Sequence, residues 1–390
     1  MNSPLRARLW PSAFYFLYFF GFAALGPFQA LYFQHLGLSG DQIGLLMGFI
    51  PLVILLAAPF WTGLADAGHR HRAVLLDTLA LTAALAASIP LFHNPAWIFP
   101  VIGVYAFFAA PAIPMCDSAT LVMLGSEADR YGRIRVWGTV GWGLAGPFVG
   151  ALLQRWGLQW AFWIYAAAIF LLLIPGSRLV FGPRRSATPF RQGVRRLLTN
   201  KKWLFFLSLV LVGGISFSVT NNYLAVLMES LGGSQTLTGV ALTVSILSEL
   251  PLMFFSYLLL DRLKSRGLFL LAVAVSAVRC LLYAVIEAPG GIIAVQLLHG
   301  LTSPALLVAG VNYAAESAPE GLGATAQGVF SSVLMGVGGT IGNLLGGMLI
   351  ERAGPAGMFA LVGAIMLLSL VIFLLAERIV FSRQASQPLP

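Results

Sequence analysis

Three observations predict an all-α polytopic membrane protein of about twelve transmembrane helices in two pseudo-symmetric six-helix bundles: long apolar segments, a one-sided distribution of arginine, and a weak repeat about the middle of the chain. Of 390 residues, 58% are hydrophobic and only 9% charged. A water-soluble domain cannot cover its surface with that composition. A spanning helix needs about 20 apolar residues. Breaking the sequence at charges, Gly and Pro places such helices near 10–34, 42–64, 73–92, 96–124, 134–154 and 158–181, then near 203–230, 238–260, 268–287, 291–317, 324–350 and 356–380. The start, "MNSPLRARLW", is basic and leads into an apolar run longer than a cleaved signal peptide would have, so it reads as a retained first helix.

Arg6 and Arg8 precede the first helix. Arg70 and Arg72, Arg130 and Arg133, then Arg262, Lys264 and Arg266 fall in alternate loops, and Arg383 follows the last helix. All lie on one side, while the other carries only Arg155 and Arg352. The positive-inside rule makes the rich side the cytoplasm, with both termini there. The expected location is a bacterial-type cytoplasmic (inner) membrane, crossed many times. The asymmetry accounts for the net charge of +9, so no nucleic-acid partner is expected; the lipid bilayer and a small-molecule substrate are. Cys116 and Cys280 sit inside apolar stretches without metal-ligand spacing.

One long polar connector, "GPRRSATPFRQGVRRLLTNKK", divides the chain into an N-terminal six-helix half (1–181), a basic cytoplasmic linker (182–202) and a C-terminal six-helix half (203–390). The halves echo each other: Asp66 ends helix 2 before "AGHRHR", and Asp261 ends helix 8 before "RLKSR". A six-plus-six duplication is the pattern of transporters that bind substrate between two halves. Asp66, Arg70, Asp261 and Arg262 are the candidate conformational switch loops.

An ionised side chain at bilayer centre costs about 2.5–3.5 kcal/mol on insertion scales, which makes each one a functional candidate. Asp117 lies in helix 4, Arg135 opens helix 5, Glu249 is near the middle of helix 8, Arg279 is in helix 9 and His299 in helix 10. Asp117 with Arg135, and Glu249 with Arg279, read either as structural pairs between helices or as the walls of a wet cavity. Attraction in such pairs is offset by desolvation, which favours the cavity. His299 is either a packing residue or a functional one; Gln296, His299 and Ser303 share a face at α-helical spacing. Asn222 reads equally as a cavity residue or as a hydrogen bond between helices. Gly338, Gly342 and Gly346 recur every fourth residue, a smooth strip for close helix contact rather than a phosphate loop.

"PFWTGLADAGHRHR" and the more specific "YGRIRVWGTVGW" resemble the major facilitator superfamily and, within it, the branch of lactose, phenylpropionate-type and nucleoside permeases. The similarity covers nearly the whole chain. It implies substrate-binding roles for Asp117, Arg135 and Trp142, the last as a platform for a sugar ring, and proton-coupling roles for Glu249, Arg279 and His299. Two departures stand out: Asp117 is a methylene shorter than the family's Glu, and Thr302 occupies the place of a carboxylate one turn after the histidine. The latter tilts the expected solute toward an aromatic carboxylate or nucleoside rather than a sugar. The resulting expectation is a secondary active transporter working by alternating access as a proton-coupled symporter, with no cofactor beyond the coupling proton. An exporter of drugs or metabolites with the same fold is the alternative. A membrane-embedded enzyme is disfavoured because the ionisable groups are spread one per helix, and a monomer is expected.

Overall fold

The computed structural model describes residues 4–182, 197, 199–318 and 322–385, and among them all regular structure is helical. Ten stretches are long and apolar enough to cross a membrane, and two of these, Gln235–Val285 and Thr325–Glu377, run to 51 and 53 residues. At 1.5 Å per residue each is more than twice the ~30 Å hydrocarbon thickness. Both are broken once by a left-handed residue, Lys264 (φ 58°) and Gly354 (φ 69°), where the chain turns back. Gly354 adopts that conformation without steric cost, and Pro355 behind it is suited to open the next helix. The described residues therefore make twelve crossings.

These are α1 Pro4–His35, α2 Gly40–Gly68, α3 His71–Ser88, α4 Pro95–Ala109 continued by Ala112–Leu124, α5 Tyr131–Trp156 and α6 Trp160–Leu171 continued by Leu173–Arg178. The second set is α7 Lys201–Asn222 continued by Leu224–Ser230, α8 235–263, α9 265–285, α10 289–317, α11 323–353 and α12 355–385. Side-chain caps set several of the starts. Ser39 and Gln42 form a capping box on α2, while Asn94, Asn200 and Ser234 accept from the first free N–H groups of α4, α7 and α8. Of the expected linker, 183–196 and 198 lie outside the described residues.

Two seams hold the halves together, α2 against α11 and α5 against α8. A methyl placed on Gly347 would lie 2.3 Å from the Gly40 carbonyl oxygen, and one on Gly239 2.1 Å from that of Gly146. The backbones therefore touch, as small-residue membrane interfaces allow. The strip Gly338, Gly342 and Gly346 packs instead on α7, against Gly214, Ile215 and Tyr223. The hydrogen bonds across the halves lie toward the face opposite the start of α1. His35 Nε2 meets Glu229 Oε2 at 2.7 Å, the Gly40 N–H donates to Glu351 at 2.5 Å, and Thr236 bonds Gln154. Somewhat deeper, Thr243 donates to the Gly143 carbonyl at 3.0 Å and Asn343 to that of Met47 at 3.1 Å. At the opposite end, which we term the basic face, Glu127 holds Arg8 at 2.6 Å and Arg130 at 2.9 Å within the first bundle, and Arg266 pairs with Glu377 within the second. The switch-loop candidates sit there too. Asp66 pairs with His71 at 2.7 Å, Asp261 is 3.9 Å from Lys264 with both side chains largely exposed, and Arg70 and Arg262 are exposed.

Candidate functional site

Asp117 and Arg135 come together, though not as the direct ion pair that is one of the two readings. Tyr15 of α1 stands between them. Its hydroxyl donates to Asp117 Oδ1, and its ring carries the Arg135 guanidinium 4.9 Å from the centroid. Tyr131 donates to the same Asp117 oxygen at 3.0 Å. Phe19, one turn along α1, flanks the guanidinium at 4.4 Å. Both distances are in the cation–π range. Arg135 thus rests on two ring faces, and among the described residues no hydrogen-bond acceptor meets its N–H groups. Asp117 and Arg135 are only partly buried. A charged group stays at this depth if water or a polar solute reaches it. Trp142, two turns along α5, packs on Phe22 of α1 with ring centroids 5.5 Å apart.

Glu249 and Arg279 do not form the structural pair that is one of the two readings of these residues. Half-buried on α8, Glu249 makes no hydrogen bond or ion pair among the described residues. Gly143 of α5 contacts Ile246 of α8 just beyond. Glu249 and Arg135 belong to opposite halves.

Arg279 is 3% exposed and satisfied by neutral groups alone. Nε donates to the Tyr283 hydroxyl at 2.9 Å, Nη1 to His299 Nδ1 and Thr302 Oγ1 at 3.1 Å each, and Nη2 to Gln296 Oε1 at 2.5 Å. Arginine can only donate, so His299 Nδ1 accepts and the ring is neutral with its proton on Nε2. The local fold of α10 makes this possible. Gln296–Leu301 is a 3₁₀ turn. With three residues per turn, positions 296, 299 and 302 line up. Thr302, not Ser303, therefore completes the face. The residue that displaces a carboxylate serves here as an acceptor for the buried arginine. Tyr283, one helical turn after Arg279, closes the cage.

Asn222 is spent on α11: its amide donates to Asn343 Oδ1 at 2.8 Å, and Asn343 in turn donates to Met47 of the other half. This is the inter-helix alternative for Asn222 rather than a group aimed at a cavity. Tyr15, Phe19, Tyr131 and Tyr283 escape sequence reasoning, because tyrosines and phenylalanines within a run such as "FYFLYFFGF" carry no periodic mark. Among the described residues no group of three His, Cys, Asp or Glu side chains could hold a metal ion.

Residues 9–361 match the MFS_1 like family. The maltose permease of Geobacillus stearothermophilus is 30% identical over 94% of this chain and 93% of its own. The probable 3-phenylpropionic acid transporter of Escherichia coli is 23% identical over 90% and 93%. The solved nucleoside transporter NupG superimposes with a TM-score of 0.83 at 17% identity, covering 96% of this chain and 98% of that one. That likeness establishes the twelve-helix fold. With the family spanning nearly the whole chain and its relatives acting as permeases, the chain is a membrane transporter belonging to the MFS_1-like family of the major facilitator superfamily.

Proposed function

We propose that the chain imports a small polyhydroxylated solute, a sugar in the first instance, together with a proton. The observation that carries this reading is the arrangement of Asp117 and Arg135 on either side of Tyr15. The site offers an acceptor and a set of unengaged donors side by side, above which Trp142 and Phe22 present apolar faces. A sugar hydroxyl pair uses both polar groups, and its C–H faces suit the rings. An aromatic carboxylate would use Arg135 but would meet Asp117 as a like charge. The maltose permease likeness supports the same choice, against the tilt toward organic anions or nucleosides drawn from Thr302.

In the alternating-access reading, the basic face is the cytoplasm and the seams on the opposite face close the site toward the outside. Glu249 carries the coupling proton: ionised, it attracts Arg135 across the two halves; protonated, it releases that attraction. The switch loops at Asp66, Arg70, Asp261 and Arg262 sit where the cytoplasmic ends must separate. Uptake into proteoliposomes with an imposed pH gradient, screened over disaccharides, nucleosides and aromatic acids, tests the solute class. Arg135→Ala should lose uptake entirely, and normal affinity in that variant defeats the assignment. Glu249→Gln should exchange solute yet no longer accumulate it against a gradient; undiminished accumulation removes Glu249 from the coupling role.

A further inference from the structure

Gln29 on α1 is an unanswered polar group. Its side chain is 5% exposed, and among the described residues its amide Nε2 donates to no acceptor. A buried donor without an acceptor lowers stability, so its presence calls for a reason. Its position supplies one. Tyr15, Phe22 and Gln29 follow one another at seven-residue intervals, two helical turns each, and so share one face of α1. Tyr15 stands between Asp117 and Arg135, and Phe22 packs on Trp142, so this is the face that borders the solute site. Gly26 falls between Phe22 and Gln29 on the same stripe. It is buried, yet the three atoms nearest to a methyl placed on it all belong to the Phe22 ring, the closest at 3.4 Å, and no atom of another helix lies within 3.8 Å. A methyl on Gly21, by contrast, would meet Ala168 of α6 at 2.9 Å. α1 is therefore close-packed on its α6 side and open beside Gly26. The gap starts at the Phe22 ring and runs toward the orphan amide, over an axial rise of about 10 Å.

We infer that Gln29 and the gap at Gly26 form a second solute subsite, which takes the far ring of a disaccharide whose near ring lies at Asp117 and Arg135. This rests on the sugar reading proposed above and adds the length of the solute to it. The amide N–H donates to a ring or hydroxyl oxygen of the far sugar. The missing side chain at position 26 gives that ring room against α1, and the edge of Phe22 meets its C–H face. A neutral amide suits this end, because no charge is left buried when the site is empty. Gln29 stands ten residues beyond Phe19, on which Arg135 rests, or about 15 Å along the helix axis. A single sugar ring cannot touch both; two rings, with the reach of the two side chains, can.

The test is equilibrium binding of radiolabelled maltose and glucose to the purified transporter, one probe with a second ring and one without, together with the unfolding temperature of the empty protein. Wild type should bind maltose about threefold or more tightly than glucose. Gln29→Leu should weaken maltose binding roughly 3- to 10-fold, the loss of one neutral hydrogen bond, and leave glucose within about twofold. The empty variant should unfold at the same or a higher temperature, since an orphan donor has been removed, whereas loss of a purely structural glutamine would lower it. Gly26→Leu fills the gap and should bring the two sugars to parity. The inference is overturned if Gln29→Leu weakens both sugars alike, or neither, the second being the result expected if an ordered water satisfies the amide. A lower unfolding temperature of empty Gln29→Leu overturns it too, as does a preference for maltose that survives Gly26→Leu. Wild type that binds both sugars equally sinks the second subsite and leaves the sugar reading standing, whereas wild type that binds neither sinks both.

Discussion

Replacing Gly239 by alanine should open the α5–α8 seam. The added methyl would meet the Gly146 carbonyl oxygen at 2.1 Å and its carbon at 2.7 Å. Both are backbone atoms that no rotamer change can move aside, so the helices must part by about 1 Å to restore ordinary contact. Overpacking of this kind costs about 1–3 kcal/mol, which lowers the population of the conformer described here roughly 5- to 150-fold against any in which the seam is open. The gain in helix propensity, about 0.5–1 kcal/mol for Gly to Ala, is shared by every conformer in which α8 stays helical. Thermal stability should therefore hold while the conformational balance moves. A short bismaleimide cross-link between cysteines placed at His35 and Glu229 reports closure of the halves on the face opposite the basic one, since the native side chains meet there at 2.7 Å, and Cys116 and Cys280 are buried. The cross-link should form roughly 5- to 150-fold more slowly in Gly239→Ala than in its Gly239 parent. Equal rates would refute the reasoning, because they would mean that the backbone contact does not limit closure.

Tyr15→Phe deletes the hydroxyl that donates to Asp117 but keeps the ring beneath Arg135. A hydrogen bond to a charged group contributes about 1.5–3 kcal/mol, so solute affinity should fall by roughly 10- to 150-fold, read by scintillation proximity binding. Thr302→Val removes one acceptor from buried Arg279 and should lower the unfolding temperature in detergent by several degrees, whereas Thr302→Ser should restore it. Asn343→Leu strips the bonds to Asn222 and to the Met47 carbonyl. Slower cross-linking between positions 35 and 229 is expected, with binding by the isolated open conformer preserved.

The twelve crossings were legible because a helix in lipid advertises its length in apolar residues, and Pro, Gly and charge mark the ends. The glycine strip of α11 was legible for a related reason: only close approach explains small residues at every fourth position. The pairings were not. Whether Asp117 touches Arg135 depends on the rotation of α4 against α5 and on a third side chain, Tyr15, from a helix more than 100 positions away. Arg279 looked like a partner for Glu249 because both are isolated charges in adjacent helices. Its actual partners depend on a 3₁₀ turn that replaces the 3.6-residue period with one of three, which substitutes Thr302 for Ser303.

The cage around Arg279 has a further consequence. Four neutral acceptors hold one elementary charge inside the second bundle with no anion bound to it. If that bundle moves as a body, the charge travels with it through the electric field of the energised membrane. A full traverse is worth about 2.3 kcal/mol per 100 mV, so a shift through one-tenth of the field does only about 0.2 kcal/mol of work. An interior-negative voltage thus tilts the resting balance toward whichever orientation carries Arg279 inward, too weakly to drive the cycle on its own.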